Sequence, residues 1–231
     1  MIRVASYNMR KAIGTDRRRR PERTLEVLRE LDADVIALQE ADRRFGSRAS
    51  AIPVRMIEEH SDYKPVDFDT REDSIGWHGN ALLVRKNVDI LRQEPLHLPS
   101  LEPRGAVMAD LSLNGEKLRV IGMHLDLSGL WRRQQAHAIL GRLQTAEAGM
   151  PAVLMGDLNE WSVRGGCLRD FCHHLTLADC GRSFHVRRPV ARLDRIMVTE
   201  GLGIDEAGVH QSATAKKASD HFPVWAKLRR L

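Results

Sequence analysis

The stretch NALLVRKNVDILRQEPLHLPSLEPRGAVMADLSLNGEKLRVIGMH, residues 80–124, decides the fold. Its runs Asn80 to Val84, Val88 to Leu98, Ala106 to Leu113 and Lys117 to His124 read as consecutive strands. Short turns join them, notably Asn114-Gly115. Upstream, Ile2 to Asn8 and Asp34 to Glu40 read as strands on either side of a helix. Pro21 opens that helix where its missing N–H costs nothing, and Leu25, Leu28 and Leu31 form its apolar face. Ala51 to Glu59 reads as a short helix. Downstream, Leu130 to Ala148 is the longest helix, with Ala136, Ile139, Leu140 and Leu143 at helical spacing. Ala152 to Met155 is a short buried strand, residues 160–191 are loop-rich with a short helix, and two strands close the chain. Strands in runs, with few helices between them, favour two packed mixed sheets flanked by helices over a purely parallel sheet.

The polar residues that carry chemistry sit at the ends of these apolar runs. Gly156-Asp157-Leu158-Asn159 follows one strand, and Ser219-Asp220-His221 precedes the run Phe222 to Leu228. In extended backbone Asp157 and Asn159 point the same way. Asp220 and His221 are adjacent, so they converge only in a turn. Asn8 ends the first strand, Glu40 the second, and His124 ends the run from Lys117. Asp194 stands alone inside the apolar stretch Arg192 to Val198, where a carboxylate is costly without a partner. Gln39 alternates away from Glu40 and reads as structural. Two carboxylates, an amide and an imidazole aimed at one spot suit metal-assisted attack of water on phosphorus. The first and last motifs must share one site, so residues 1–231 are expected to form one domain.

Taken together, these motifs resemble the endonuclease/exonuclease/phosphatase superfamily, from Tyr7-Asn8 to Ser219-Asp220-His221. The resemblance is specific for the superfamily and not for one substrate. It implies a four-layer α/β sandwich of DNase I-like form and dependence on Mg²⁺, for which Mn²⁺ can substitute. By the same resemblance Glu40 ligates the metal, Asn8 sits beside it, and Asp220 completes the metal shell or hydrogen-bonds the site from behind. Asp157 activates or orients the attacking water, or is itself a metal ligand, and Asn159 holds the nucleophile or a phosphate oxygen. His221 pairs with Asp194, and the carboxylate orients the ring and stabilises its protonated form. His124 matches a histidine that contacts the scissile phosphate. Arg104 could reach phosphate, Asn80 follows a glycine in a segment near the site, and Trp161 would sit at the mouth as leaving-group contact or lid. Trp77 and His78 read as rim or structure, and Arg132 and Gln135 as packing.

Where AP endonucleases carry an acid two positions after the first Asn, this chain has Arg10. That departure, together with His124 and the compact chain, favours a small or lipid phosphoester over abasic DNA. A nuclease acting on DNA or RNA is the alternative. A catalytically inactive binding protein is a third reading, but none of Glu40, Asp157, Asp194 or His221 is missing.

Composition fits a soluble globular chain, 42% hydrophobic and 29% charged. The net charge is +5, with 29 Arg against 7 Lys, which suits an anionic substrate. Arg17 to Arg20 form the dense basic run, read as a solvated loop or a phosphate contact. Aromatics are only 5%, too few for the stacking surface of a single-strand nucleic-acid binder. The first strand begins by residue 2 or 3, which leaves no room for a signal peptide. Cys167, Cys172 and Cys180 show no metal-binding spacing, so a reduced, cytoplasmic setting is expected. A monomer is expected, with nucleic acid as a candidate partner and peripheral membrane contact if the substrate is a lipid.

Overall fold

The computed structural model describes residues 1–43, 49–68, 73–145 and 149–231. Strand β1 (Ile2–Asn8) passes through a tight turn at Arg10–Ala12 to helix α1 (Pro21–Leu31) and strand β2 (Val35–Gln39). Then come α2 (Val54–His60), β3 (Tyr63–Pro65), β4 (Gly76–Trp77) and β5 (Asn80–Arg85). The stretch that decides the fold continues with β6 (Asp89–Leu96), β7 (Gly105–Leu113) and β8 (Glu116–His124). Helix α3 (Gly129–Thr145), β9 (Ala152–Asp157), α4 (Cys167–Cys172) and β10 (Thr176–Leu177) follow. The chain closes with β11 (Asp194–Val198), β12 (Leu202–Val209), α5 (Ala215–Ala218) and β13 (Val224–Arg230).

These strands form two mixed sheets. One is seven-stranded in the order β12-β13-β1-β2-β5-β3, with β4 on β5; the other is six-stranded in the order β10-β11-β9-β8-β7-β6. The pairs β1/β2 and β8/β9 are parallel, each needing a crossover, and α1 and α3 supply it. Alternation along each strand sorts side chains between two surfaces. Val4, Val35, Leu82 and Val84 of the first sheet meet Val107, Val120, Val153 and Ile196 of the second in the middle. On the outer face of the first sheet, Leu25, Leu28 and Leu31 of α1 cover Ala5, Ile36 and Leu38. On the second, Ala136, Ile139 and Leu140 of α3 cover Ile121, Met123 and Leu154. Helix, sheet, sheet and helix make the four layers that the resemblance implies.

The register lines up the site. Across the second sheet Gly105 pairs with His124, His124 with Asp157, and Asp157 with Asp194. Gly156, just before Asp157, is where the backbones of β8 and β9 crowd most. A Cβ there would lie 1.8 Å from the carbonyl oxygen of Met123.

Some boundaries differ from the sequence expectation. Strand β9 continues past Met155 through Asp157, because the ladders to β8 and β11 persist across the glycine. Strand β11 begins at Asp194, leaving Arg192 and Leu193 outside it. Helix α2 starts at Val54, behind Pro53, rather than at Ala51. The expected end of the long helix at Ala148 lies outside the described residues. Three strands close the chain, not two. Strand β12 carries Gly203, Asp205, Glu206 and Gly208 on an edge, and its register shifts between Ile204 and Glu206. A bulged polar edge strand shows no clean alternation.

Arg119 is 1% exposed and pairs with Asp110 opposite it through two hydrogen bonds of 2.7 and 2.8 Å. Asp110→Ala should cost about 3–5 kcal/mol, because it leaves a buried guanidinium unpaired. Urea unfolding measures this. A loss under about 1 kcal/mol would mean that the guanidinium finds water or another acceptor.

Candidate active site

Asp157 Oδ2 is the hub of the site. It accepts a hydrogen bond from Asn8 Nδ2 at 2.9 Å. His124 Nε2 lies 3.4 Å away and His221 Nε2 3.7 Å. The first sheet supplies Asn8 and the second supplies His124 and Asp157, so the site lies across the sandwich at one end. His221 Nδ1 donates to Asp194 Oδ2 at 2.8 Å, and Ser183 Oγ donates to the same oxygen at 2.5 Å. Asp194 therefore has the partner that its apolar strand demanded. Its Oδ1 is buried with no hydrogen-bond partner.

The electrostatics follow from burial and pairing. Burial, the strongest single influence on Asp157, disfavours its charge. His221, His124 and the Asn159 N–H together outweigh it, so the carboxyl is held well below the usual carboxylate range. Burial also opposes the His221 charge, but Asp194 and Asp157 push the ring up to about 10. Burial raises the Asp194 carboxyl and the Asp157 charge adds to it, while His221 opposes both. One imidazolium facing two carboxylates is the arrangement these influences favour.

This has a consequence for stability. A folded-state pKa raised from 6.5 to about 10 means that the protonated ring favours the folded chain. The contribution is whole below the unfolded value and is lost as pH rises through the folded one. Urea midpoints should fall between neutral pH and about pH 10, and His221→Gln should flatten that slope. A wild-type profile without an alkaline slope would show the ring to be neutral.

Arg104 leans on His124, with Nη1 2.9 Å from Nδ1 and also in contact with Nε2. His124 Nε2 is the ring nitrogen turned towards Asp157. Glu40 stands just past β2 in a left-handed conformation, φ 52°, and its carboxylate contacts the Lys11 ammonium. Burial raises its pKa, but His124, Lys11 and Arg104 together bring it below the ordinary value. Asp220 lies 3.4 Å from Arg10 Nε and accepts from Ser219 Oγ at 3.3 Å.

Asn159 sits differently from the simplest expectation. It is not on extended backbone: φ is 50°, and its N–H donates to Asp157 Oδ1 at 3.0 Å. Its side-chain amide donates to the Leu125 carbonyl at 2.9 Å. Asn80 is fully buried and donates to the carbonyls of Trp77 and Gly105, which ties the two sheets together beside the site. Trp161 is exposed and meets Phe184 edge-on at 6.1 Å, and Phe184 packs on the His221 ring at 4.7 Å. Gln39 accepts from Ser6 in the interior. Gln135 accepts the Asp126 N–H and Arg132 pairs with Glu160, both structural tasks.

Sequence reasoning missed Ser183, Phe184 and Lys11. The first two lie in a loop without periodicity. Lys11 lies among three successive left-handed residues, Arg10, Lys11 and Ala12, a conformation that no residue type there announces.

Asp157, Asp194 and His221 each bring one ligand atom within 4.8 Å of the others, a group that could hold a metal ion. His221 Nδ1 already donates to Asp194, so the ring could ligate only through Nε2, and only in its neutral form.

A family model described as "Endonuclease/Exonuclease/phosphatase family" matches residues 5–221. No curated protein matches the chain. Among solved structures, an endonuclease/exonuclease/phosphatase from Bacteroides vulgatus is 17% identical with a TM-score of 0.77, covering 100% of this chain and 99% of that one. A mannosyl-6-phosphatase from Bacteroides thetaiotaomicron is 20% identical with a TM-score of 0.76, covering 99% and 100%. D. rerio TDP2 complexed with single strand DNA product is 16% identical with a TM-score of 0.76, covering 99% and 98%. At these identities the likeness is one of fold.

Proposed function

The chain belongs to the endonuclease/exonuclease/phosphatase family, with residues 5–221 matched, and from that premise we propose that it hydrolyses a phosphodiester or phosphomonoester by in-line attack of water. The observation that carries this reading is the buried Asp194–His221 pair facing Asp157 across 3.7 Å. An acid held well below its usual range is a poor proton acceptor. Asp157 therefore orients the attacking water through a hydrogen bond rather than removing its proton outright. His221, protonated at neutral pH, faces the developing charge on the phosphoryl oxygens or gives its Nε2 proton to the leaving oxygen. Asp194 keeps the ring oriented and charged. His124 turns Nε2 to the same place, and Arg104 beside the ring adds positive potential for a phosphate.

The oxygen donors fit a hard divalent cation, Mg²⁺ with Mn²⁺ as substitute. Glu40 would hold it with Asn8 and Asp220 near by, or the Asp157 and Asp194 carboxylates would, where the unpartnered Asp194 Oδ1 awaits a positive neighbour. When bound, such an ion neutralises charge on the phosphoryl oxygens.

A small or lipid phosphoester is the favoured substrate. Arg10 sits against Asp220, where AP endonucleases carry an acid, and a sugar phosphatase shares the fold. The net charge of +5 and the fold shared with a protein bound to single-strand DNA support the second reading, a nuclease. Purified protein with Mg²⁺ or Mn²⁺ should be assayed on plasmid DNA, RNA, lysophospholipids, sphingomyelin and chromogenic phosphate esters. Turnover of small or lipid esters exceeding that of nucleic acid is the expected result. Efficient abasic-site incision at near-physiological salt would instead establish the nuclease, because scattered arginine contacts to duplex DNA weaken steeply with salt.

A further inference from the structure

Ten large apolar side chains are exposed among the described residues, and six of them, Leu101, Leu127, Leu130, Trp161, Val163 and Val190, lie on the segments that flank the strand ends of the active site. The register explains why they gather. Residues 97–104 lead into Gly105, residues 125–130 follow His124 into the first turn of α3, residues 158–166 follow Asp157, and residues 178–193 lead into Asp194. Scattered exposed leucines are ordinary, but a group concentrated on one rim marks an interaction surface. Leu101 is 73% exposed, Leu130 67%, and Trp161 and Val163 63% each, so none of the described residues covers them.

The rim is braced from within. Asp126 accepts the N–H groups of Leu101 at 3.2 Å, Glu102 at 3.4 Å and Ser128 at 2.9 Å, which fixes the first two loops together. Arg132 donates to the Leu127 carbonyl at 2.6 Å and to Glu160 at 3.3 Å, joining the loop that bears Trp161. Trp161 meets Phe184, whose carbonyl accepts the Val190 N–H at 2.8 Å.

Charge selects the partner. The acids on these loops and on the Arg17–Arg20 loop are already engaged. Asp16 pairs with Arg23, Glu102 with Arg104 and Asp179 with Arg192, while Asp126 and Glu160 are buried. Exposed Arg164, Arg182, Arg187 and Arg188 remain in excess. Arg187 reaches the Thr15 carbonyl at 3.4 Å, which brings the exposed Arg17 to Arg20 run alongside. A soluble polyanion would leave the leucines in water, and an apolar protein face would strip the arginines of water without compensation. An anionic bilayer satisfies both. We propose that this face docks on the headgroup layer of an anionic membrane, with the catalytic row turned towards it. Docking stands on the rim alone; only its catalytic consequence, access to a phosphoester at the membrane, rests on the phosphoesterase reading.

The test is sedimentation of the full chain, in EDTA, with vesicles of phosphatidylcholine alone or mixed with an equal part of phosphatidylglycerol. The protein should partition onto the mixed vesicles and weakly onto the neutral ones. Arg187→Gln with Arg188→Gln should weaken that partition on the order of thirtyfold, from about 1 kcal/mol per basic residue near the surface. Leu101→Ser with Leu130→Ser should weaken it as well. Turnover of a soluble phosphoester, measured in parallel, should persist in both variants. Docking without any turnover in the wild type would defeat the phosphoesterase reading and leave the docking proposal standing. Absence of partition at near-physiological salt, or equal partition of the leucine variant, would overturn the proposal. So would a concentration-dependent dimer that the leucine variant dissociates, which would assign the face to a second copy.

Discussion

His221→Ala should reduce turnover of any accepted phosphoester on the order of 10²–10⁴-fold, the usual worth of acid–base assistance. The ring is the protonated group nearest Asp157 that also has a carboxylate behind it, at 2.8 Å. Asp194→Asn should act through the same ring: an amide can still accept from Nδ1–H, but it cannot stabilise the imidazolium. The double variant should therefore be little worse than His221→Ala alone. Additive losses in the full cycle would mean that the two residues work separately. The pH profile adds a readout that a merely structural role would not move. With His221 at about 10, the alkaline limb of the wild type should shift towards neutral pH in Asp194→Asn.

The second large effect is loss of the metal. Excess EDTA should abolish turnover, and Mg²⁺ or Mn²⁺ should restore it, because a buried cluster of acids repels a phosphate dianion. Glu40→Gln should act chiefly on metal affinity, with partial rescue at high Mn²⁺. Direct titration of Mn²⁺ by calorimetry separates weaker binding from slower chemistry. Undiminished turnover in EDTA would remove the metal from the account.

Most of the site was legible because burying a carboxylate or an amide at the end of an apolar run demands a reason. Asp194 is the clearest case. An acid inside an apolar strand required a cationic partner, and His221 is there. Asn8, His124 and Asp157 were likewise legible as strand-end polar groups, and the register brings them to one place. Direction was harder to read than position. Asn159 was expected to share a strand face with Asp157, yet a left-handed residue turns its amide onto Leu125. Asn80 was expected near the site, and its Nδ2 also joins the sheets while its Oδ1 stays without a hydrogen-bond partner. Such outcomes depend on which carbonyl lies within reach after folding, and no periodicity records that. Among the fold elements, strands β7 and β8 were plain as apolar runs joined by the Asn114-Gly115 turn, whereas β12 was hidden by glycines, acids and a bulge. Phe184 sits on the His221 ring from a loop without a pattern, so only the tertiary structure reveals it.

The most direct measurement of the central claim is hydrolysis in ¹⁸O-labelled water of whichever phosphoester the panel identifies, with wild type and Asp157→Asn side by side. The wild type should place the label in the phosphate product, as attack of water on phosphorus requires, and Asp157→Asn should lose most of that turnover. Label in the alcohol product, or Asp157→Asn turning over at the wild-type rate, would contradict the account.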